Sequence, residues 1–438
     1  MAIKKRQVAE LKAVVLAAGE GSRIWPLAEH RPKHLLPVSG KPILLHILLA
    51  LAENGIRDIL VVVGFKGDLI RSSLGDGSRY GLHIEYLDQK EWTGTASALM
   101  LAYQRMGKER FLAIYGDLLV NTSTIQTVIE KAEDTARVMG IVRISKPSTY
   151  GVVKLQGDRV VKILEKPTRG LSEGWINTGI YVLDDEVFEA IHRTKVSKRR
   201  EYELTSSLQR IIDEGKELKA AIIARTDWMD IGRPWDLLEA NERALTALQH
   251  RVKGTVEQGC VLRGPIWLEE NSSIKSGSYI EGPTYIGSGS RIGPNARIRP
   301  STSIGENVVI GTSCEVKNSI IMNETKVPHL SYVGDSIISE SCNLGAGTIT
   351  ANIRFDGEPI QMRIKGKLQD SGREKIGTIM GDQVQTGINV SIMPGVRIGS
   401  HSWIGPGTLV ANDIPSRSSV FSRQTTLVKQ RNKAPTSK

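Results

Sequence analysis

The sequence predicts two folds in series, an α/β domain over the first half and a parallel β-helix over the second. Three observations carry this. Short β-rich runs alternate with longer amphipathic stretches up to about residue 250, and a glycine-rich turn follows the first of them. From Val256 onward an aliphatic residue recurs every six positions.

A chain of 438 residues exceeds one typical domain, so two or three are expected. The formal charge of +11 suits phosphorylated substrates and coenzymes as well as nucleic acid. Aromatic residues make up only 5%, and no Lys/Arg block interleaves with them as a base-stacking platform requires, which argues against nucleic acid. Cys260, Cys314 and Cys342 are too scattered for a disulfide framework or a zinc knuckle, as expected of a reducing cytoplasm. No apolar run approaches the roughly 20 residues of a membrane span, so no membrane partner is expected.

The first strand is predicted at residues 13–16, running into the glycine turn. A helix is predicted at 43–54 with Gly55 as its stop, then a strand at 59–63. Further strands are predicted at 83–87, 111–115 and 138–143, and a helix at 235–250 leads out of the domain. Such alternation predicts a mostly parallel sheet with helices on both faces and ligands beyond the strands' carboxyl ends.

In the second half, Val256, Leu262, Leu268, Ile274, Ile280, Ile286, Ile292, Ile298, Ile304, Ile310 and Val316 fall at a spacing of six. Ile392, Ile398, Ile404 and Val410 resume it. That period fits neither an α-helix nor a simple amphipathic strand. It fits a short strand plus a tight turn, coiled so that each sixth side chain points inward. Each buried aliphatic contributes roughly 1.5–3 kcal/mol, enough for the stacked column to hold a solenoid together. The column is expected to break at 318–326 and again at 352–375, where a polar loop should leave the coil. The resulting division is 1–235, a linker helix 236–252, a β-helix 253–415 and a basic tail 416–438.

In the turn after the first strand, Gly19 and Gly21 would let backbone N–H groups approach a triphosphate, and Arg23 can neutralise it. Lys33 follows ten residues later in Arg31-Pro32-Lys33. The run Gly19-Glu-Gly-Ser-Arg-x-x-Pro-Leu-x4-Pro-Lys-x-Leu-Leu-Pro-Val38 resembles the signature of the sugar-1-phosphate nucleotidylyltransferases. The likeness continues through Gln89, Gly94-Thr95, Tyr115-Gly-Asp117, Tyr150-Gly151, Glu165-Lys-Pro167, Asn177-Thr-Gly179 and Trp228-Met-Asp230.

The resemblance implies a Rossmann-like domain that joins a nucleoside triphosphate to a sugar 1-phosphate and releases pyrophosphate. It assigns Leu16, Ala17, Ala18, Gly19, Gln89, Gly94 and Thr95 to the nucleotide, and Asp117 and Asp230 to Mg²⁺. Gly151, Glu165, Lys166, Asn177 and Thr178 would hold the sugar phosphate, and Arg23 and Lys33 would act in catalysis. Phosphoryl chemistry of this kind rests on positioning and charge neutralisation, which the cast of cations and carboxylates suits. Asp117 could instead cap a helix, Lys166 could be an ordinary surface lysine, and Glu201 and Glu203 read as solvated charges.

The stretch Lys326-Val-Pro-His329-Leu-Ser-Tyr332-Val-Gly-Asp335 resembles the acetyltransferase half of bifunctional enzymes that acetylate glucosamine 1-phosphate and then uridylylate the product. The spacing of Lys317, Asn343 and Asn352 around His329 follows the same pattern. Ile353, the insertion 354–375 and Thr386-Gly-Ile-Asn389 depart from the bacterial pattern and look archaeal. The resemblance makes His329 the general base, a task that suits an imidazole titrating near neutrality. It gives Arg299, Lys317, Tyr332, Asn343 and Asn352 to the amino-sugar substrate, and Ala346, Gly387, Gly405 and Arg423 to acetyl-CoA. It also implies a homotrimer, a left-handed β-helix, and UTP or dTTP as the nucleotide. A second reading stays open, a single-activity thymidylyl- or uridylyltransferase whose β-helix serves as a scaffold.

Overall fold

The computed structural model describes residues 11–429, apart from 92, 168–171, 198 and 424, so residues 1–10 and the end of the basic tail lie outside the description. The first half is a Rossmann-like α/β domain around a nine-stranded sheet. In sheet order its strands are His83–Asp88, Asp58–Val63, Lys12–Ala17, Phe111–Tyr115, Glu173–Leu183, Val138–Ser145, Lys219–Ile222, Arg159–Glu165 and Gly151–Gln156. Ala13, Val14, Val15 and Ala17 are fully buried because helices cover both faces of this central strand.

The sheet is mixed, not mostly parallel as the alternation predicts. The first four strands run parallel, and Glu173–Leu183 enters antiparallel between Phe111–Tyr115 and Val138–Ser145. The hydrophobic pattern of a strand specifies which side chains are buried, and leaves the direction of its neighbour to the connections. The helix Ile43–Glu53 ends at Asn54, one residue before the predicted Gly55 stop. The exit helix Pro234–Thr246 is shorter than predicted, since Arg251–Val252 already forms the first strand of the coil.

The second half is a left-handed parallel β-helix of hexapeptide repeats with three faces. The first begins with Arg251–Val252, the second with Thr255–Val256 and the third with Val261–Arg263. Successive coils pair in parallel at a separation of 18 residues, as Ile274 with Ile292 and Ile292 with Ile310. Leu268 through Val316 of the six-residue column are fully buried in one core.

The column does not break at 318–326. Ile304 pairs with Ile321 and Ile321 with Ile338, so two successive coils are each shortened by one residue and the inward series continues through Ile321, Val327, Val333, Ile338 and Leu344. A strict count of six cannot see a one-residue slip, whereas parallel pairing tolerates it at a corner. Nor does 352–375 simply leave the coil. It forms the hairpin Gln361–Ile364 with Lys367–Asp370, and Ile360, Met362, Ile364 and Ile376 bury themselves between the two domains. The tail returns to the coil as far as Ser419–Val420, which pairs with Trp403–Ile404.

The two halves share an apolar seam. Ile24, Leu27, Leu36, Ile231, Trp235 and Leu238 pack with Ile320, Met322, Ile337 and Ile379 of the first face. No helix among the described residues is long and apolar enough to cross a membrane.

Candidate active sites

The strand Lys12–Ala17 ends in an open turn. A side chain at Gly19 would meet nothing within 4 Å, whereas Gly21 has φ +72° and carries the chain into the short turn Ser22–Ile24. Lys33 lies across this turn. Its Nζ stands 2.5 Å from Asp117 Oδ2, just after the strand Phe111–Tyr115. Asp117 therefore caps no helix. Its neighbour Leu118 pairs with Asp230 of the strand Trp228–Asp230, which brings the two carboxylates to one crevice. Arg23 closes the group, since a Cβ on Gly232 would sit 3.0 Å from its guanidinium and 3.3 Å from Asp230 Oδ2.

Burial alone would raise both carboxylic acids, and their surroundings then separate them. Lys33, held against Asp117, keeps that carboxyl below its usual range despite burial. Asp230 is pushed up to about 6 by burial and by the negative charge of Asp117. Among the described residues its carboxylate accepts no hydrogen bond, and no group of three metal-ligating side chains occurs. Two facing carboxylates, one without a protein donor, fit a hard divalent cation that completes its shell with phosphate and water oxygens.

The nucleotide candidates cluster at the neighbouring strand ends. Gln89 donates to the Gly94 carbonyl at 3.1 Å and to Ser97 Oγ at 3.0 Å, and its own amide oxygen stays free of hydrogen bonds among the described residues. Gly94 has φ +124°, and a Cβ there would lie 2.4 Å from the Tyr202 carbonyl, so only glycine lets these segments approach. Thr95 Oγ1 accepts from the Leu204 amide at 3.0 Å.

Gly151 pairs with Glu165, and a Cβ on Gly151 would lie 3.1 Å from Glu165 Oε2 and 3.7 Å from Asn177 Cβ. Those three predicted residues therefore meet. Thr178 does not join them, since its buried hydroxyl donates to the Gly140 carbonyl at 2.8 Å and is spent inside the sheet. The Lys166 side chain is 41% exposed, as in the surface reading, though desolvation and the nearby charge of Arg199 lower its ammonium below the usual range.

Several partners here carry no local sequence signal. Thr205 donates to Glu165 at 3.0 Å, Asn177 to the Tyr181 hydroxyl at 2.5 Å, and Tyr181 to the Tyr115 hydroxyl at 3.4 Å. Glu203 is not the solvated charge expected. It is buried, held by Arg199 at 3.1 Å, and raised by burial and by Glu165. The run of basic residues around it suggested a surface, but the helix Leu204–Asp213 turns Glu203 inward. A separate cleft of about 1000 Å³, between Ser39, Arg243, Trp267 and Tyr285, contains none of the predicted residues.

On the β-helix the second set of residues forms two rows that flank the third face. His329 ends the second-face strand Lys326–His329. Ala346, Gly387 and Gly405 occupy the same corner on later coils, where a Cβ on Gly345 would meet Gly387 at 2.5 Å. The His329 ring is exposed and makes no hydrogen bond among the described residues. Asn343 opens a second-face strand, a Cβ on Gly405 would strike the Phe421 ring, and Arg423 is exposed beyond it.

The other row centres on Asp335, which the sequence reading left without a role. Its buried carboxylate lies 3.3 Å from Lys317 Nζ and accepts from Asn318 at 2.8 Å and from Asn352 at 2.5 Å. Asn352 also donates to the Tyr332 hydroxyl at 3.2 Å, and Arg299 pairs with Glu315 at 3.0 Å. Asn318 reaches back at 2.8 Å to Glu242 of the exit helix, which Arg373 of the insertion also grips. Within one chain no hydrogen bond or ion pair joins His329 to this row among the described residues.

A crevice of paired carboxylates and cations at strand ends, followed by a hexapeptide coil, defines a nucleotidyl transferase joined to a β-helical domain. The nucleotidyl transferase family profile matches residues 12–247, and the GMPPB C-terminal domain profile matches residues 280–393. The chain is 45% identical, over 96% of its length and 100% of the relative, to the bifunctional protein GlmU of Methanococcus maripaludis. It is 41% identical to GlmU of Methanocaldococcus jannaschii over 94% of this chain and 98% of that one. It is also 41% identical to the bifunctional sugar-1-phosphate nucleotidylyltransferase/acetyltransferase of Sulfurisphaera tokodaii, over 92% of this chain and 98% of that one. The chain belongs to this family of bifunctional sugar-1-phosphate nucleotidylyltransferase/acetyltransferases.

Proposed function

We propose that this enzyme makes UDP-N-acetylglucosamine by two reactions, acetylation of glucosamine 1-phosphate from acetyl-CoA and then uridylyl transfer from UTP to the product. The observation that carries the reading is the presence, in one chain, of the Lys33–Asp117–Asp230 crevice and the His329 and Lys317–Asp335 rows.

In the first domain a phosphate oxygen of the sugar attacks the α-phosphorus of UTP. A phosphorus–oxygen bond forms there as the bond to pyrophosphate breaks. Lys33 and Arg23 neutralise charge on the transferring and departing groups. Mg²⁺, bound by Asp117 and Asp230, would supply further charge neutralisation to the phosphate oxygens. The free amide oxygen of Gln89 suits the imide N–H of uracil, and Glu165 and Asn177 suit sugar hydroxyls.

In the second domain His329 takes a proton from the neutral amine of the sugar as its nitrogen attacks the thioester carbonyl. The carbon–sulfur bond breaks, and the coenzyme A thiolate leaves and takes the proton back from the His329 imidazolium. Lys317 and Arg299 face the sugar phosphate, with Tyr332, Asn343 and Asn352 around the ring, and Ala346, Gly387, Gly405 and Arg423 follow the coenzyme. Because His329 and Lys317 lie on opposite edges of the third face, a homotrimer would let neighbouring chains complete each site. The exposed Val261, Ile349 and Leu409 on that face support such packing.

The test is thiol release from acetyl-CoA with glucosamine 1-phosphate, comparing wild type with His329→Ala. Release by the wild type that vanishes in the variant supports the reading. A wild type that forms UDP-N-acetylglucosamine from N-acetylglucosamine 1-phosphate but releases no thiol would reduce the β-helix to a scaffold.

A further inference from the structure

The segment from Arg23 to Lys33 carries both catalytic cations at its ends, yet it contains no strand and pairs with none in the sheet. Its own backbone bonds are single-turn closures, Leu27 N–H to Ile24 and Glu29 N–H to Pro26. Its position is set from outside: Lys66 Nζ donates to the Glu29 carbonyl at 3.0 Å from within the domain, and the β-helix supplies most of the remaining contacts. Ile24 and Leu27 pack in the seam with Ile337 and Ile379. Pro26 comes so near the coil that a Cβ on Gly381 would lie 3.1 Å from it, and the Arg397 guanidinium sits 4.9 Å over the Trp25 ring. Glu29 accepts from Ser416 Oγ at 2.8 Å and from the Ser400 amide at 3.3 Å.

Arg31 makes the strongest of these links. Its Nη2 lies 2.9 Å from Asp382 Oδ1 and 2.8 Å from Glu340 Oε2, and Nη1 reaches the Met322 sulfur at 3.4 Å. Asp382 is itself held by the Ser339 hydroxyl and the Glu340 amide. The Arg31 and Asp382 side chains are only 12% and 10% exposed, so water replaces little of the pairing. One residue separates Arg31 from Lys33, and it is Pro32, at φ −66° and ψ 143°. A proline ring fixes φ, so a shift of Arg31 passes to Lys33 with little loss in the backbone.

We propose that Arg31 is a positioning residue for nucleotidyl transfer, clamping the Arg23–Lys33 segment to Asp382 and Glu340 so that the β-helix sets where Lys33 stands against Asp117. The inference rests on the nucleotidylyltransferase reading of the crevice. It makes the first activity depend on the second domain through a contact 351 residues apart in sequence. Both carboxylates meet one guanidinium nitrogen, so a lysine at this position can keep part of the pairing but has no second nitrogen for the Met322 sulfur.

The experiment measures steady-state uridylyl transfer from UTP to N-acetylglucosamine 1-phosphate with full-length wild type, Arg31→Gln and Arg31→Lys. It repeats Arg31→Gln in a Lys33→Ala background, on the residual rate. Thermal melts confirm the folded fraction at the assay temperature. A displaced cation should lower kcat about 10- to 100-fold in Arg31→Gln, with KM for both substrates within about threefold. Arg31→Lys should keep an intermediate rate. In the Lys33→Ala background the further loss should shrink below about twofold, because the anchor acts through a residue no longer there.

Where Arg31→Gln is unfolded at the assay temperature, Glu340→Gln removes one arm at a half-exposed carboxylate and should show a smaller kcat loss with the same non-additivity. An active wild type with Arg31→Gln unchanged in kcat overturns the proposal, as does an equal fractional loss with or without Lys33. A wild type inactive on every sugar 1-phosphate and nucleotide tried refutes instead the reading of the crevice.

Discussion

Replacing Asp335 by asparagine preserves shape and removes one buried charge. Lys317 then stands without its counter-charge, with its side chain only 20% exposed, while the Asp335 position itself is 3% exposed. At the observed 3.3 Å, the pair interacts by roughly 5 kcal/mol at an effective dielectric of about 20 and about 1 kcal/mol in water. The site lies between those limits, and the desolvation penalty already incurred by Asp335 is relieved in the variant. The net destabilisation expected is about 2–3 kcal/mol, below the range for a fully buried broken pair. For a domain of this size that corresponds to a drop of about 5–10 °C in the melting temperature. The freed lysine also loses its aim toward the sugar phosphate, so KM for glucosamine 1-phosphate should rise about tenfold, equivalent to about 1.4 kcal/mol. The assay pairs a melt with acetyl-transfer kinetics at saturating acetyl-CoA. A melt within about 2 °C of wild type together with an unchanged or lower KM would refute the role given to Asp335.

Three further outcomes are expected. Chelation of divalent cations should suppress nucleotidyl transfer and leave acetyl transfer intact, with added Mg²⁺ restoring the first; loss of both would mean that the carboxylate pair is not the only metal-dependent element. Gly94→Ala forces a Cβ toward the Tyr202 carbonyl at φ +124°, and should cost about 1–3 kcal/mol in a melt while raising KM for the nucleotide by way of Gln89. Ile298→Ala empties a fully buried place in the column and should lower β-helix stability by about 2–5 kcal/mol, read by denaturant titration.

Much of the fold was legible along the chain. The six-residue period marks the coil because each inward position repeats the same local burial, as Leu268 through Val316 show. The first strand, the glycine turn and the helix Ile43–Glu53 are likewise local patterns. Gly19, Arg23 and Lys33 stand out in the glycine turn and the run after it, whereas Asp117, Asp230, His329, Lys317 and Asn352 are named only through the resemblance to the family.

The direction of Glu173–Leu183 and the two one-residue slips that keep the column continuous follow from neighbours distant in sequence. So do the partners of the sites. Tyr181 and Tyr115 behind Asn177, Asp335 between Lys317 and Asn352, and Arg31 on Asp382 leave no period or motif. Periodicity records which side a residue buries, so the two folds and the motif-bearing residues can be read along the chain. Which groups face one another is decided by how strands and domains pack, and that packing alone sets the Arg23–Lys33 segment on the β-helix.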